Sequence, residues 1–355
     1  MTDRNSNMKI KGRGAQVDIP NRFNKTTYHD HDLSDFSFEE EEEGVQTNYL
    51  EVHPKSLVNP VPSKDIYLNW SMNPYQGCEH GCAYCYARPT HEYWGYNSGL
   101  DFERTILYKP NAPELLKKFL DRKSWIPEAI MLSGNTDCYQ PAERKYEITR
   151  KLLQVLRDYN NPVGIITKNS LIIRDIDLLK EMADKDQVAV NISLTTLDEE
   201  LRRKLEPRTS TAVNKLKAIE KLSAAGIHTQ VMIRPVIPGL NSHEIPEIIR
   251  QSADAGAIWA NYINVRLNGP LGDIFTSWLK LAYPDRVNKV LNQIKESNGG
   301  VLSNTIDGGR MRGNGINAKM IRDLFEINRS KYMTKPNFEL NTSLFARPGQ
   351  QLNLF

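Results

Sequence analysis

The sequence predicts an α/β protein built on a parallel sheet. Three observations carry this. Six short apolar, β-branched runs recur between residues 65 and 267, helical patterns alternate with them, and a dense group of cysteines follows the first run. Strict alternation of strand and helix demands crossover connections, and therefore parallel strands. An incomplete (β/α) barrel and a doubly wound sheet both satisfy the pattern. Both place chemistry at the C-terminal ends of the strands.

The first strand is expected at 65–70 (DIYLNW), leading into the cysteine loop. Residues 111–123 carry apolar side chains at helical spacing, and EAIMLS (128–133) is the second strand. The helix over 141–159 has Pro141 near its start, where a missing N–H costs little. VGIITK (163–168) is a strand, RDIDLLKEMAD (174–184) a helix and VAVNISLTT (188–196) the fourth strand. A helix stopped by Gly226 precedes the strand 228–237, and a helix stopped by Gly256 precedes the sixth strand, 261–267.

Residues 1–60 read as an N-terminal arm, 61–270 as the core and 271–355 as an extension, helical and then irregular. The arm is punctuated by Gly and Pro and then acidic through Glu39–Glu43, a pattern of mobile, solvated chain. Phe23, Phe36, Phe38 and Tyr49 could instead anchor it on the core.

A chain of 355 residues fits one large domain with appendages and needs no disulfides for stability. Three of its 4 cysteines crowd into Cys78–Cys85, which excludes an ordinary disulfide framework and points to an intracellular metal-binding or catalytic role. No apolar run reaches the length of a membrane span, mean hydropathy is -0.53, and the N-terminus has no apolar signal core. A cytoplasmic protein with no membrane partner is expected. The net charge of +3 permits nucleic-acid binding without arguing for it.

The motif NPYQGCEHGCAYCYARPTHEYW (73–94) spaces its cysteines C-x3-C-x2-C. A structural zinc ion would close its tetrahedron with Cys138, His80 or His91, and a zinc module docking on nucleic acid is the non-enzymatic alternative. A redox dithiol at Cys82 and Cys85 leaves Cys78 unexplained. A [4Fe–4S] cluster with three thiolates would leave one iron an open position for chemistry.

C-x3-C-x-aromatic-C directly after the first strand of a βα repeat resembles the radical S-adenosylmethionine (SAM) superfamily, and Cys78, Cys82, Tyr84 and Cys85 match the pattern. The resemblance implies a partial (β/α)6 TIM-like barrel, with Cys78, Cys82 and Cys85 as ligands of a [4Fe–4S] cluster. It also implies SAM on the fourth iron, Tyr84 near the adenine, an electron donor, and reductive cleavage to a 5′-deoxyadenosyl radical that abstracts hydrogen from a substrate. SLTTLDEELRRKLEPRTST and MIRPVIPGLNSHE resemble the branch that includes spore photoproduct lyase and the DNA repair photolyase-like proteins. GRGAQ, LSGNTDCYQPAER and RMRGNG are similar to one bacterial family within it. This implies a macromolecular substrate, DNA ahead of RNA or protein, with lyase or other hydrogen-abstracting chemistry.

The remaining candidates lie at strand ends. Thr136 and Asp137, in SGNTD after the second strand, would hold the methionine amino group by resemblance, or simply cap a turn. Lys168 would pair with the methionine carboxylate, and Ser193 or Thr195 would bond the ribose or carboxylate. Arg234, Pro238, Gly239 and Asn241 lie in the segment expected against the adenine. Asn264 and Arg266 follow on the sixth strand, where Arg266 could clamp an anion or form an ordinary ion pair. Cys138 stands just after the Thr136–Asp137 pair, whereas the lyase's hydrogen-donor cysteine stands just before its comparable pair, where this chain has Gly134. A small apolar role suits Cys138 better than catalysis.

Two partner signals remain. QLNLF (Gln351–Phe355) is similar to the motif by which bacterial repair proteins bind the DNA sliding clamp, or the tail folds back on its own domain. Basic segments at 202–208 and 308–315 could contact phosphates.

Overall fold

The computed structural model describes residues 10–23, 46–63, 65, 68–303, 311–333 and 338–349. Seven strands form the main sheet: the short edge strand Asn59–Pro60, antiparallel to its neighbour, and six that run parallel, Trp70–Met72, Ile130–Leu132, Val163–Thr167, Val188–Ser193, His228–Val236 and Trp259–Asn264; these six are numbered first to sixth. Each of the six pairs in parallel with the next in chain order. That order decides between the two expected architectures. Right-handed crossovers that always advance the same way keep their helices on one face, which makes a partial (β/α)6 barrel. A doubly wound sheet would reverse its order part-way.

The middle strands are nearly continuous apolar runs because both of their faces are covered, one by helices and one by the barrel interior. The helix Ile148–Asp158 buries Ile148, Leu152, Leu153 and Leu156 along one stripe, and Ile245–Asp254 does the same with Ile245, Ile248 and Ile249. Gly226 and Gly256 end their helices at φ +80° and +96°, the left-handed stop their positions predict. The outer strands sit differently from expectation. The first pairs only over Trp70–Met72, and the sixth starts earlier, at Trp259, with a register shift between Tyr262 and Asn264.

A second sheet was not foreseen. Thr105–Tyr108 pairs in parallel with Asn48–Glu51 and antiparallel with Tyr75–Gln76. It brackets the cysteine loop, since Tyr75–Gln76 leads into the loop and Thr105–Tyr108 follows it.

The described part of the arm is packed onto that loop. The N–H groups of Gly14 and Ala15 donate to the Glu103 carboxylate at 3.1 and 2.8 Å. Arg88 forms an ion pair with the same carboxylate, and neither side chain is exposed. A side chain on Gly14 would place its Cβ 1.7 Å from the Gly81 carbonyl oxygen, so the two backbones touch directly. Phe23 packs on Tyr93 at 5.1 Å, and the Tyr49 hydroxyl donates to Glu79. Phe36, Phe38 and the Glu39–Glu43 block lie outside the described residues.

At the other end of the chain, the helix Gly315–Tyr332 covers the sixth strand, with Phe325 against Tyr262 at 4.5 Å. Residues 338–349 return to the barrel end opposite the cysteine loop. There Ala346 N–H donates to Tyr159 O, and Arg347 to Leu120 O. Gln351–Phe355 lies outside the described residues. Among the described residues no helix is long and apolar enough to cross a membrane.

Removing the Glu103 carboxylate leaves the buried Arg88 guanidinium without its counter-charge and two arm N–H groups without their acceptor. Glu103→Ala is expected to lower stability in urea unfolding by about 3–5 kcal/mol and to open residues 10–23 to limited proteolysis. Wild-type stability with a protected arm would contradict this account of the contact.

Candidate cluster and cofactor site

The cysteine loop starts at the C-terminal end of the first strand and is held by its own backbone. Cys78 N–H donates to Phe102 O at 2.8 Å, and Cys85 N–H to Cys82 O at 3.3 Å. Gly77 and Gly81 turn the chain at φ +78° and +64°, and a side chain at either would meet atoms closer than 3.0 Å. All three cysteines are free thiols. Cys78 and Cys82 are buried and Cys85 is half-buried. Burial pushes the Cys82 thiol well above its ordinary range and the Cys85 thiol up to about 11. Bare thiols at these two positions would be protonated, and binding iron would reverse that.

The alternatives for a fourth ligand are engaged elsewhere. Cys138 is fully buried in the main core, where its N–H donates to Ser133 Oγ. Burial raises its thiol well above the usual range. His91 stacks on Tyr96 at 5.1 Å. His80 lies 3.4 Å from the Asp137 carboxylate. Burial would lower this imidazole, but Asp137 and Cys78 outweigh it and hold it up at about 10. Among the described residues no three His, Cys, Asp or Glu side chains converge closely enough to hold a single metal ion. A cubane does not require that, because each thiolate binds a different iron.

The side chains of the SGNTD turn serve the turn itself. Thr136 Oγ1 donates to Tyr75 O at 2.7 Å. Asp137 accepts from Thr167 Oγ1 at 2.8 Å, from Lys168 N–H at 2.7 Å and from Tyr139 N–H at 2.8 Å. Ser133 adopts φ +77°, and the Gly134 carbonyl accepts a hydrogen bond from Tyr86.

Lys168 and Ser193 come together, with Nζ donating to Oγ at 2.8 Å. Burial alone would lower the Lys168 ammonium, but the Glu206 and Asp137 carboxylates raise it, so it stays charged beside the thiols. Tyr84 stands over the same space, its ring centroid 5.9 Å from Lys168 Nζ and its hydroxyl donating to Glu206. Asn241 is spent on its own turn, donating to Thr195 O and Pro235 O and accepting from Ile237 N–H. Asn264 N–H donates to Met311 O, and Arg266 Nη1 to Met311 Sδ at 3.7 Å. The basic segment 202–208 spends Arg202 on Glu199 and on the carbonyls of Glu206 and Thr209, and Arg208 on Glu79.

Glu206 is the buried hub that sequence reasoning missed. It accepts from Tyr84, from Thr195 Oγ1 at 2.6 Å and from Lys215 Nζ at 3.2 Å. Burial would raise its carboxyl, but Lys215 and Lys168 outweigh this and hold it down at about 2. Burial also drags the Lys215 ammonium down against the pull of Glu206. The contact distance and the depressed carboxyl together favour the charged pair. One signal was available: Lys215 interrupts the apolar stripe Ala212–Ala218–Ile219–Leu222 at a core-facing position.

Residues 72–251 match the family model described as the Radical SAM superfamily. The chain belongs to the radical SAM superfamily. It is therefore an enzyme that uses a [4Fe–4S] cluster and SAM, with an electron donor to reduce the cluster. Bound together, these cofactors supply reductive cleavage of SAM to a 5′-deoxyadenosyl radical. An uncharacterised protein of Mycobacterium tuberculosis H37Rv is 37% identical over 244 residues, 68% of this chain and 72% of the relative. A Radical SAM Nα-GlyT isomerase of Pseudomonas phage M6 is 27% identical, over 56% of this chain and 42% of its own. Spore photoproduct lyase complexed with dinucleoside spore photoproduct has a similar fold, with TM-score 0.61, 14% identity and 81% of each chain covered.

The Glu206 carboxyl, held at about 2 against an ordinary 4.5, stabilises the fold fully above pH 4.5 and loses that contribution as pH falls through 2. Stability of the wild type is expected to fall more steeply across that window than that of Glu206→Gln, with the two curves converging at its acid end. Parallel curves in denaturant titrations would count against a charged Glu206.

Proposed function

We propose that Cys78, Cys82 and Cys85 ligate three irons of the cluster and that SAM occupies the fourth. The observation that carries this is the placement of three free thiols on one loop, beside the half-buried Lys168 ammonium, at the C-terminal end of the first strand. Lys168, seated by Ser193, meets the methionine carboxylate. Tyr84 and the segment from Arg234 to Asn241 border the adenine, with Tyr84 oriented by Glu206 and the segment shaped by Asn241. Thr136 and Asp137 hold the SGNTD turn in shape, so that its backbone faces the methionine amino group. Cys138, buried in the core, supports the second strand end and takes no part in chemistry.

The substrate we infer is DNA, and the reaction is a hydrogen abstraction of the repair or lyase kind carried out in the cytoplasm. Support comes from the shared architecture with spore photoproduct lyase, whose structure was solved with a dinucleoside spore photoproduct. The terminal Gln351–Phe355 segment would dock the enzyme on the DNA sliding clamp. Deleting it is expected to abolish clamp pull-down, and unchanged capture would reject the docking.

Anaerobically reconstituted protein, reduced and given SAM, is expected to form 5′-deoxyadenosine, and more of it with ultraviolet-damaged DNA than without. Formation that ignores every DNA added removes the substrate assignment while leaving SAM cleavage intact. Cys78→Ala, Cys82→Ala and Cys85→Ala are each expected to lose bound iron and sulfide, whereas Cys138→Ala keeps both. Lys168→Ala is expected to retain iron but to weaken SAM binding about tenfold or more, the loss of a buried charge-assisted contact. Full iron in any of the three loop variants would remove that residue from the ligand set.

A further inference from the structure

Two arginines at the open edge of the barrel each carry one buried nitrogen with no hydrogen-bond partner among the described residues. The sixth strand is the free edge of the main sheet beyond the fifth, and residues 311–312 run along it. Asn264 Nδ2 donates to Arg312 O at 2.5 Å, Arg312 Nη2 donates to Asn261 Oδ1 at 3.2 Å, and the guanidinium lies 3.8 Å from the Tyr262 ring centroid. The side chain is thus held in place, yet Arg312 Nη1 is buried without a hydrogen bond, as is Arg234 Nε near the end of the fifth strand. Burial pulls the Arg234 guanidinium down to about 10; Tyr86 opposes this and Arg312 adds to it, and no carboxylate contributes.

A guanidinium nitrogen buried without a partner is costly, and an anion relieves it; among the described residues no carboxylate pairs with Arg234, and Arg312 lies within electrostatic reach of it. Guanidinium forks fit a phosphate oxygen pair better than a point charge does. SAM carries no phosphate, and its carboxylate has Lys168 in the reading above. The pair is therefore left for a second anion. Tyr86, next to Cys85 in the chain and 61% exposed, lies within electrostatic reach of Arg234 and offers an exposed aromatic ring on which a base can stack.

We propose that Arg234 and Arg312 hold one backbone phosphate of a DNA strand at the open edge of the barrel, setting the strand's register beside the cofactor site. This rests on the DNA reading above. The test is fluorescence anisotropy of a labelled single-stranded DNA oligomer with cluster-loaded protein over a range of salt, with inorganic phosphate as a second probe. Arg312→Gln and Arg234→Gln are each expected to weaken DNA binding about tenfold and to reduce the slope of log affinity against log salt by about 0.7, one phosphate contact on a single strand. Arg312→Lys is expected to keep the slope and recover part of the affinity. Iron content of each variant reports that it has folded. Wild-type affinity and slope in both glutamine variants overturn the inference and leave the DNA reading standing. A wild-type protein that binds inorganic phosphate but no DNA, or neither, overturns both together.

Discussion

The Arg88–Glu103 ion pair holds the cysteine loop in one conformation. Both side chains are fully buried, so each supplies the counter-charge that offsets the other's loss of water. Arg88 also donates to the carbonyls of Cys82, Ser98 and Gly99, and Glu103 accepts from the arm at Gly14 and Ala15. Three segments far apart in sequence therefore depend on one pair. A loop fixed this way can present thiols to a cluster of set geometry without spending binding energy on ordering the chain.

Two acids, the buried Glu206 and the mostly covered Asp137, organise the space beside the loop. Asp137 gathers Thr167, His80 and the Lys168 backbone, while Glu206 gathers Tyr84, Thr195 and Lys215. Lys168 stands between them and keeps its charge because of them. The polar residues at the strand ends are thus of two kinds. Asn241, Thr136 and Asp137 are consumed in shaping turns, whereas Lys168 and Ser193 point their bond at the space next to the cysteines. At the barrel edge, Arg234 Nε and Arg312 Nη1 are buried with no hydrogen-bond partner among the described residues, and the phosphate proposal starts from them.

Much of the fold was legible because its signal is local. Alternating runs and helix-stopping glycines lie within single windows of sequence, and parallel pairing follows from them, whereas the strand order that separates a barrel from a doubly wound sheet does not. The cysteine spacing was legible for the same reason. The small sheet was not, since Tyr75–Gln76 and Asn48–Glu51 are too short to show a period and their partner Thr105–Tyr108 lies far along the chain. The packed arm was hidden for a related reason, because backbone contact between Gly14 and Gly81 leaves no side-chain pattern. Glu206 reads in sequence as one more charge in a basic helix end, and only folding shows it buried among Tyr84, Thr195 and Lys215. Arg202 misled in the opposite direction, since a basic run suggested phosphate contact while its guanidinium is spent on carbonyls within the same turn.

The central claim is that three thiolates leave one iron of the cluster open to SAM. Electron paramagnetic resonance of the anaerobically purified, reduced protein tests it most directly, recorded with and without SAM alongside iron, sulfide and zinc contents. The account predicts a reduced [4Fe–4S] signal whose g-values change when SAM is added. Stoichiometric zinc without iron, or a cluster signal indifferent to SAM, would contradict it.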